Sequence, residues 1–366
     1  MEENNDDLKI IERIIKKIPK EEGYKLGKII GKGGFGVVVE IKIKDKIFAG
    51  KLIKKKRGGS IDEADLIMNF RGPGIVKINK VIKDEDGNNI YHLIIMEKAA
   101  LKSLGSFNYH LHFKNIFNLI FESPFEIVGD NLIRFYARQI IKGLEILNRS
   151  NYSHFDLKPG NILTFISMNL KLTDFGLLRN PETLKDEDDK FYIPGGTRGY
   201  LTPEYYSCDR KIKIEDAKKQ DYFSLGATLY ELKYGEGMLN YIDYNDKIIT
   251  SDLIIDLIQK TMDEIKSKKL SDKGFIDFLC SLIQYKPGER PDFEKIYRNK
   301  WLHKNSEELI NIKENNQLDE KKMVLEIDKS DYLIDKKKYL DNKRKKEDNR
   351  RISRNKFIFK DEGKSY

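Results

Sequence analysis

The sequence predicts an α+β chain in two lobes, a small antiparallel sheet with one helix followed by a mainly helical lobe. Three observations lead there. Residues 24–97 are rich in strand patterns, with runs such as Val37–Ile43 set between glycine and aspartate turns. Beyond residue 101 apolar side chains recur at helical spacing, most clearly from Asn131 to Arg149. Residues 304–366 are dominated by Lys, Asp, Glu and Asn with few apolar residues. The expected divisions are an N-terminal helical extension over 1–23, a main domain over 24–303 with lobes 24–97 and 101–303, and a charged, partly disordered tail over 304–366.

Each element follows from its local pattern. Leu8–Ile18 places apolar residues on one helical face, and Pro19 ends the run, which reads as a docking or capping helix. Lys25–Ile30 is a strand that enters Gly31-Lys32-Gly33-Gly34-Phe35-Gly36, and Val37–Ile43 leaves it as a second strand. After the turn at Asp45-Lys46, Ile47–Ile53 is the third. A dinucleotide-binding turn would open a helix, whereas here the glycines join two strands. They read as a hairpin lid whose backbone N–H groups can approach phosphates closely.

Residues 60–70 suit a short helix with Ser60 as N-cap and Glu63 in register to reach back to it, broken by Arg71-Gly72-Pro73-Gly74. Ile75–Lys83 and Ile90–Met96 are two more strands, joined by a turn over Asp84–Asn89. In the second lobe Asp130 is the expected cap of a helix that buries Leu132, Ile133, Phe135, Tyr136, Ile140, Leu144 and Leu147. Short strands follow around Ile162–Phe165 and Leu170–Leu172, then a long polar segment, 177–204, of the kind that is functional or disordered. Asp221–Lys233, Ser251–Lys268, Lys273–Tyr285 and Asp292–Leu302 read as helices, while residues 101–130 fit no element.

Composition limits the setting. A net charge of +9 favours acidic partners without choosing among them. Cys208 and Cys280 are too few for a disulfide framework or a four-cysteine metal site and read as free thiols. The acidic start, Met-Glu-Glu-Asn-Asn-Asp-Asp, has the wrong charge for a secretory signal. No apolar run approaches the roughly 18–20 residues that span a bilayer. The expectation is an intracellular protein, cytoplasmic or nuclear, without a transmembrane segment. The basic run around Lys343–Lys346 and Arg350–Arg354 reads first as a solvated tail, and second as a binder of nucleic acid or another acidic partner.

The chemistry is concentrated in His154-Phe155-Asp156-Leu157-Lys158-Pro159-Gly160-Asn161, followed by Asp174-Phe175-Gly176. Asp156 can orient a hydroxyl and accept its proton. Lys158 can neutralise charge on a phosphoryl group in transfer. Asn161 and Asp174 supply hard oxygen ligands for Mg²⁺. Taken alone the string is an ordinary polar turn before a strand. Its weight comes from the order of what surrounds it.

That order resembles the eukaryotic protein kinase family over residues 24–303. The resemblance implies a bilobal kinase fold with ATP and Mg²⁺ as cofactors. The lid, Ile30 with Gly31, Lys32, Gly33, Gly34, Phe35 and Gly36, would cover the ATP phosphates. Phe48-Ala49-Gly50-Lys51 stands where the family has Val-Ala-Ile-Lys, which gives Lys51 the α- and β-phosphates and Glu63 as its partner. Asp65 is the rival for Glu63's role, and side-chain length favours Glu63. Val38, Ala49 and Leu163 would form the adenine slot with Met96 as gatekeeper, and Glu97 and Ala99 would offer hinge backbone groups. Asp156 is similar to the family's base, Lys158 to its Ser/Thr-type lysine, and Asn161 and Asp174 to its metal ligands. Thr197 matches the threonine beside the base, Glu204 and Arg290 a structural ion pair, and Asp221 the anchor of the catalytic loop.

The implied activity is a serine/threonine kinase acting on protein substrates, with a partner-binding scaffold that does not turn over as the alternative. Thr202-Pro203-Glu204 replaces the commoner Ala-Pro-Glu, and two further residues depart from the pattern. Phe155 replaces the Arg that usually meets an activation-loop phosphate, so activity is expected not to need that phosphate. Gly50 is expected to weaken its strand.

Overall fold

The computed structural model describes residues 2–33, 36–56, 66–99, 103–105, 130–165, 169–234, 237–238, 250–267 and 272–304. The chain divides into two units, 1–317 and 318–366, and every described residue belongs to the first. The basic tail runs, most of 101–130, and the lid residues Gly34 and Phe35 lie outside the described residues, as do Ser60, Glu63 and Asp65. Of the helix expected over 60–70, the described part is its end at Leu66 and Ile67.

The first lobe is a five-stranded antiparallel sheet in the order β1-β2-β3-β5-β4. Its strands are β1 (Tyr24–Gly33), β2 (Gly36–Ile43), β3 (Lys46–Lys56), β4 (Ile78–Asp86) and β5 (Asn89–Glu97). Alternation sends Val38, Ala49, Lys51, Ile94 and Met96 to the face toward the second lobe, and Val39, Ile41, Leu52, Leu93 and Ile95 to the other.

That second face is covered by α1 (Glu2–Lys16), which starts earlier than the apolar pattern suggested and buries Ile11 and Ile14 among those strand residues. Each such isoleucine contributes about 1.5–3 kcal/mol by leaving water. A helix this short is marginal alone, so the sheet is what makes it form. The covered face also explains Gly50. A Cβ there would lie 2.6 Å from Ile41 Cγ1 and 3.3 Å from Leu93 Cδ1. Without it, these two side chains close the layer beneath α1.

The α1 contact corrects the expected turn over Asp84–Asn89. Strand β4 continues to Asp86, and only Gly87 and Asn88 turn, with Gly87 at φ 58°. The two aspartates that read as turn formers are ion-paired to the helix. Arg13 Nε donates to Asp84 Oδ2 at 3.0 Å, Lys17 also bonds Asp84, and Arg13 Nη1 bonds Asp86. Burial alone would raise the Asp84 carboxyl, but the hydrogen bonds and charges of Lys17 and Arg13 outweigh it and hold it below the ordinary carboxylate range.

An unfolded Asp takes up its proton near pH 4. The stabilisation by this pair is therefore full above about pH 4 and is lost as the pH falls through the lower folded value. Asp84→Asn is expected to lower the thermal midpoint at pH 7 and to converge on wild type in acid. Melting curves at several pH values check this, and an equal gap at pH 7 and pH 3 would contradict it.

The second lobe is built around a helix that is buried on nearly every side, α4 (Lys219–Tyr234), in which Glu231 alone between Gln220 and Lys233 is not buried. Against it lie α2 (Asp130–Arg149) and α6 (Lys273–Leu282), with the short α3 (Ile214–Ala217) before it, while α5 (Ser251–Ser267) packs on α6 and on the turn Pro203–Tyr206. Helix α2 buries Ile133, Tyr136, Ile140, Leu144 and Leu147 as expected, while Leu132 and Phe135 are only half-buried.

Asp130 does not cap its own helix. Its carboxylate receives Lys233 Nζ from α4 and the backbone N–H of Asp272, both at 2.7 Å, and so fixes the start of α2 to two other elements. The helix expected over Asp292–Leu302 is two, α7 (Phe293–Tyr297) and α8 (Lys300–His303), because Asn299 caps a second start by accepting the Trp301 N–H. Among the described residues no helix is long and apolar enough to cross a membrane.

Candidate active site

The catalytic loop lies between α2 and a two-stranded hairpin, β6 (Ile162–Thr164) with β7 (Leu170–Leu172). It is held from beneath by Asp221 at the start of α4. Asp221 Oδ2 and Oδ1 accept the backbone N–H groups of His154 and Phe155 at 2.6 and 2.9 Å. Burial pushes the Asp221 carboxyl up, and the nearby His154 and these two N–H groups oppose that. The His154 ring ties the loop to the next motif. Its Nδ1 accepts the Asp156 N–H at 3.3 Å, so Nε2 carries the proton that it donates to the Thr173 carbonyl at 3.0 Å.

The loop delivers Asp156 almost fully buried, 4% exposed, with both carboxylate oxygens engaged. Oδ1 accepts Thr197 Oγ1–H at 2.6 Å, while Oδ2 accepts Lys158 Nζ and Asn161 Nδ2, each at 2.9 Å. Asn161 Nδ2 also donates to the Asp156 carbonyl at 2.8 Å. Lys158 bridges onward to Thr197 Oγ1. Four residues predicted from sequence thus meet at one carboxylate, and that carboxylate is fixed in orientation.

On the nucleotide side, Lys51 reaches across from β3 and donates to Asp174 Oδ1 at 2.7 Å. Asp174 sits at φ 61°, a left-handed conformation that Asp tolerates. Phe175 behind it is buried in the main core with its ring 5.4 Å from the ring of His154. The Thr173 N–H bonds the Asn161 carbonyl at 3.0 Å, which sets the catalytic loop beside Asp174. Among the described residues, Asn161 Oδ1 and Asp174 Oδ2 accept no hydrogen bond. They are hard oxygen donors. Mg²⁺ typically takes one or two such protein oxygens and completes its shell with water and phosphate, so these residues fit it.

The residues expected around adenine are brought together. Ala49 and Met96 are cross-strand partners, and Ile30, Val38 and Leu163 pack against the same apolar cluster. Glu97 and Ala99 follow in the connection between the lobes. Gly31, Lys32 and Gly33 pair with Val38, Val37 and Gly36 at the hairpin mouth, and Gly34, Phe35 and Glu63 lie outside the described residues.

The segment 177–204 is described throughout and packs against the catalytic loop. Its strand β8 (Lys190–Tyr192) pairs antiparallel with β9 (Lys211–Lys213), and Lys211 also reaches Asp186 at 2.7 Å. Phe155 is 4% exposed at φ 61° and stacks on Phe191 with ring centroids 5.2 Å apart, in a cluster with Ile193, Ile212 and Ala217. Gly196, at φ 147°, lets the segment press close: a Cβ there would lie 2.7 Å from the Phe155 carbonyl oxygen. The next residue is Thr197. Below it Glu204 meets the buried Arg290 at 2.7 Å.

Sequence reasoning missed β8, β9 and Phe191. The alternation in Lys-Phe-Tyr-Ile and Lys-Ile-Lys-Ile was the available signal.

Comparison with known proteins agrees with this geometry. Serine/threonine-protein kinase MRCK alpha of Homo sapiens is 28% identical over 225 residues, 59% of this chain and 12% of that protein. Serine/threonine-protein kinase ULK3 of Homo sapiens is 26% identical over 298 residues, 78% of this chain and 56% of that protein. A probable serine/threonine-protein kinase of Dictyostelium discoideum is 29% identical over 220 residues, 57% of this chain and 42% of that protein. The chain thus spans between about an eighth and just over half the length of these relatives. A family model described as the protein kinase domain matches residues 24–302, which include every motif that lines this cleft, and the chain belongs to that family.

Proposed function

We propose that the protein is an active serine/threonine protein kinase that moves the γ-phosphoryl of MgATP to Ser or Thr hydroxyls of protein substrates. The observation that carries this reading is the Asp156 carboxylate held by Lys158, Asn161 and Thr197. Bound MgATP supplies the phosphoryl group and the charge that spreads over it in transfer. Asp156 orients the acceptor hydroxyl and takes its proton as the oxygen–phosphorus bond forms and the bond to the ADP leaving group breaks. Lys158 neutralises developing charge, Lys51 holds phosphate oxygens, and Asn161 and Asp174 hold the metal. Lys158 and the similarity to two serine/threonine-protein kinases support Ser/Thr acceptors over Tyr.

Incubation with labelled ATP and a mixed protein acceptor tests the reading. Wild type is expected to label Ser and Thr, and Lys51→Met to lose about a hundredfold or more in rate, the scale for removing one electrostatic stabiliser. Equal labelling by wild type and Lys51→Met would remove the enzymatic reading and leave a scaffold. Labelling on Tyr alone would overturn the acceptor class.

The apolar cluster around Phe155 supports activity that does not depend on activation-loop phosphate. Thr183→Ala, Tyr192→Phe and Ser207→Ala are each expected to leave the rate within about twofold, since the hydroxyls of Thr183 and Ser207 bond only to near neighbours in sequence and Tyr192 is exposed. A collapse with any one of them would contradict this.

A further inference from the structure

The connection between the lobes carries two consecutive charges of opposite sign, and each meets its counter-charge on a different lobe. Glu97 Oε1 accepts Lys171 Nζ from β7 at 2.6 Å and the Lys77 backbone N–H, also at 2.6 Å. The Glu97 N–H in turn donates to the Lys77 carbonyl at 3.0 Å. Lys98 Nζ reaches Glu40 Oε1 on β2 at 3.1 Å. We propose that Lys171 and Glu40 are positioning residues that hold the hinge in the shape adenine reads, an inference that rests on the kinase reading above.

An exposed ion pair would carry little. These are different in three respects. The four side chains are half-buried, from 17 to 30% exposed, so solvent screens them less. Glu97 makes three hydrogen bonds, two of them an exchange with the Lys77 backbone. The partners also sit on strands that already serve the cleft. Glu40 is the cross-strand neighbour of Ala49 in the adenine slot. Lys171 is on the strand that runs into Asp174, and the Phe165 ring lies 4.8 Å from its ammonium group. One pair fixes the hinge to the nucleotide-binding sheet, the other to the catalytic hairpin. A ligand binding to a connection preset in this way loses less conformational entropy.

The experiment is calorimetric titration of the full chain with MgADP, with steady-state kinetics beside it. Lys171→Met is expected to raise Kd for MgADP and KM for ATP about fivefold, and Glu40→Gln somewhat less, the scale of a half-buried charged hydrogen bond. Lys171→Arg should restore most of the affinity. KM for the protein acceptor should not move. Unchanged MgADP affinity in both Lys171→Met and Glu40→Gln overturns the inference alone. A parallel rise in KM for the acceptor also overturns it, since that would mean general loosening. No MgADP binding by wild type overturns the kinase reading and this inference together.

Discussion

Asp156→Asn is expected to lower the rate of phosphoryl transfer by about 10²–10⁴-fold, the span for a positioned general base, with a thermal midpoint close to wild type. The asymmetry between activity and stability follows from the partners of the two oxygens. Oδ2 faces two donors, Lys158 Nζ and Asn161 Nδ2, so an amide would keep its oxygen there. Its NH₂ group would then face Thr197 Oγ1, which already accepts from Lys158 and can accept again by turning its own proton away. Both donors on Oδ2 keep their acceptor, and what is lost is the proton acceptor and the negative charge beside Lys158. Steady-state rates with parallel melting curves check this. A rate equal to wild type would end the base assignment, and a large fall in midpoint would mean that the carboxylate is structural.

Phe155→Ala is expected to destabilise the fold by about 3–5 kcal/mol, the usual cost of truncating a buried phenylalanine, and to release the activation segment. Phe155 and Phe191 stack in the cluster that also holds Ile193 and Ile212, and the backbone N–H of Phe155 is anchored by Asp221. Truncation leaves the loop anchored but removes the apolar surface against which β8 lies. Thr197 then loses the support that keeps its hydroxyl on Asp156. The measurement is limited trypsin digestion: cleavage after Lys185 or Lys190 should speed up in Phe155→Ala and in Phe191→Ala, with transfer activity falling in step. Because both variants empty one cluster, the double variant should add less than the sum. Unchanged digestion in both single variants would show that the β8–β9 ladder alone holds the segment.

Local pattern made much of this legible. The strands of the first lobe follow from alternation, the hairpin β6–β7 from two short apolar runs, and the convergence of Asp156, Lys158, Asn161 and Thr197 from motif order. What escaped depends on partners far away in sequence. Asp84 and Asp86 look like turn residues until Arg13, 71 and 73 positions earlier, pairs with them. Gly50 looks like a defect until Ile41 and Leu93 occupy its space. Glu97 offers no hint in its own neighbourhood that Lys171 will find it. Phe155 stood out as a missing cation, but its partner Phe191 sits in a segment that reads as polar, where a three-residue strand carries too weak a period to stand alone.

The family match begins at residue 24, yet α1 lies before it and supplies Ile11 and Ile14 to the sheet's outer layer. A chain trimmed to start at the first strand would bare Val39, Ile41, Leu52, Leu93 and Ile95 as one continuous greasy patch, the kind of surface that drives self-association. For anyone producing this kinase domain, the practical start of the soluble unit is thus the N-terminal helix, and losses to precipitation would be the sign that the cut was made too late.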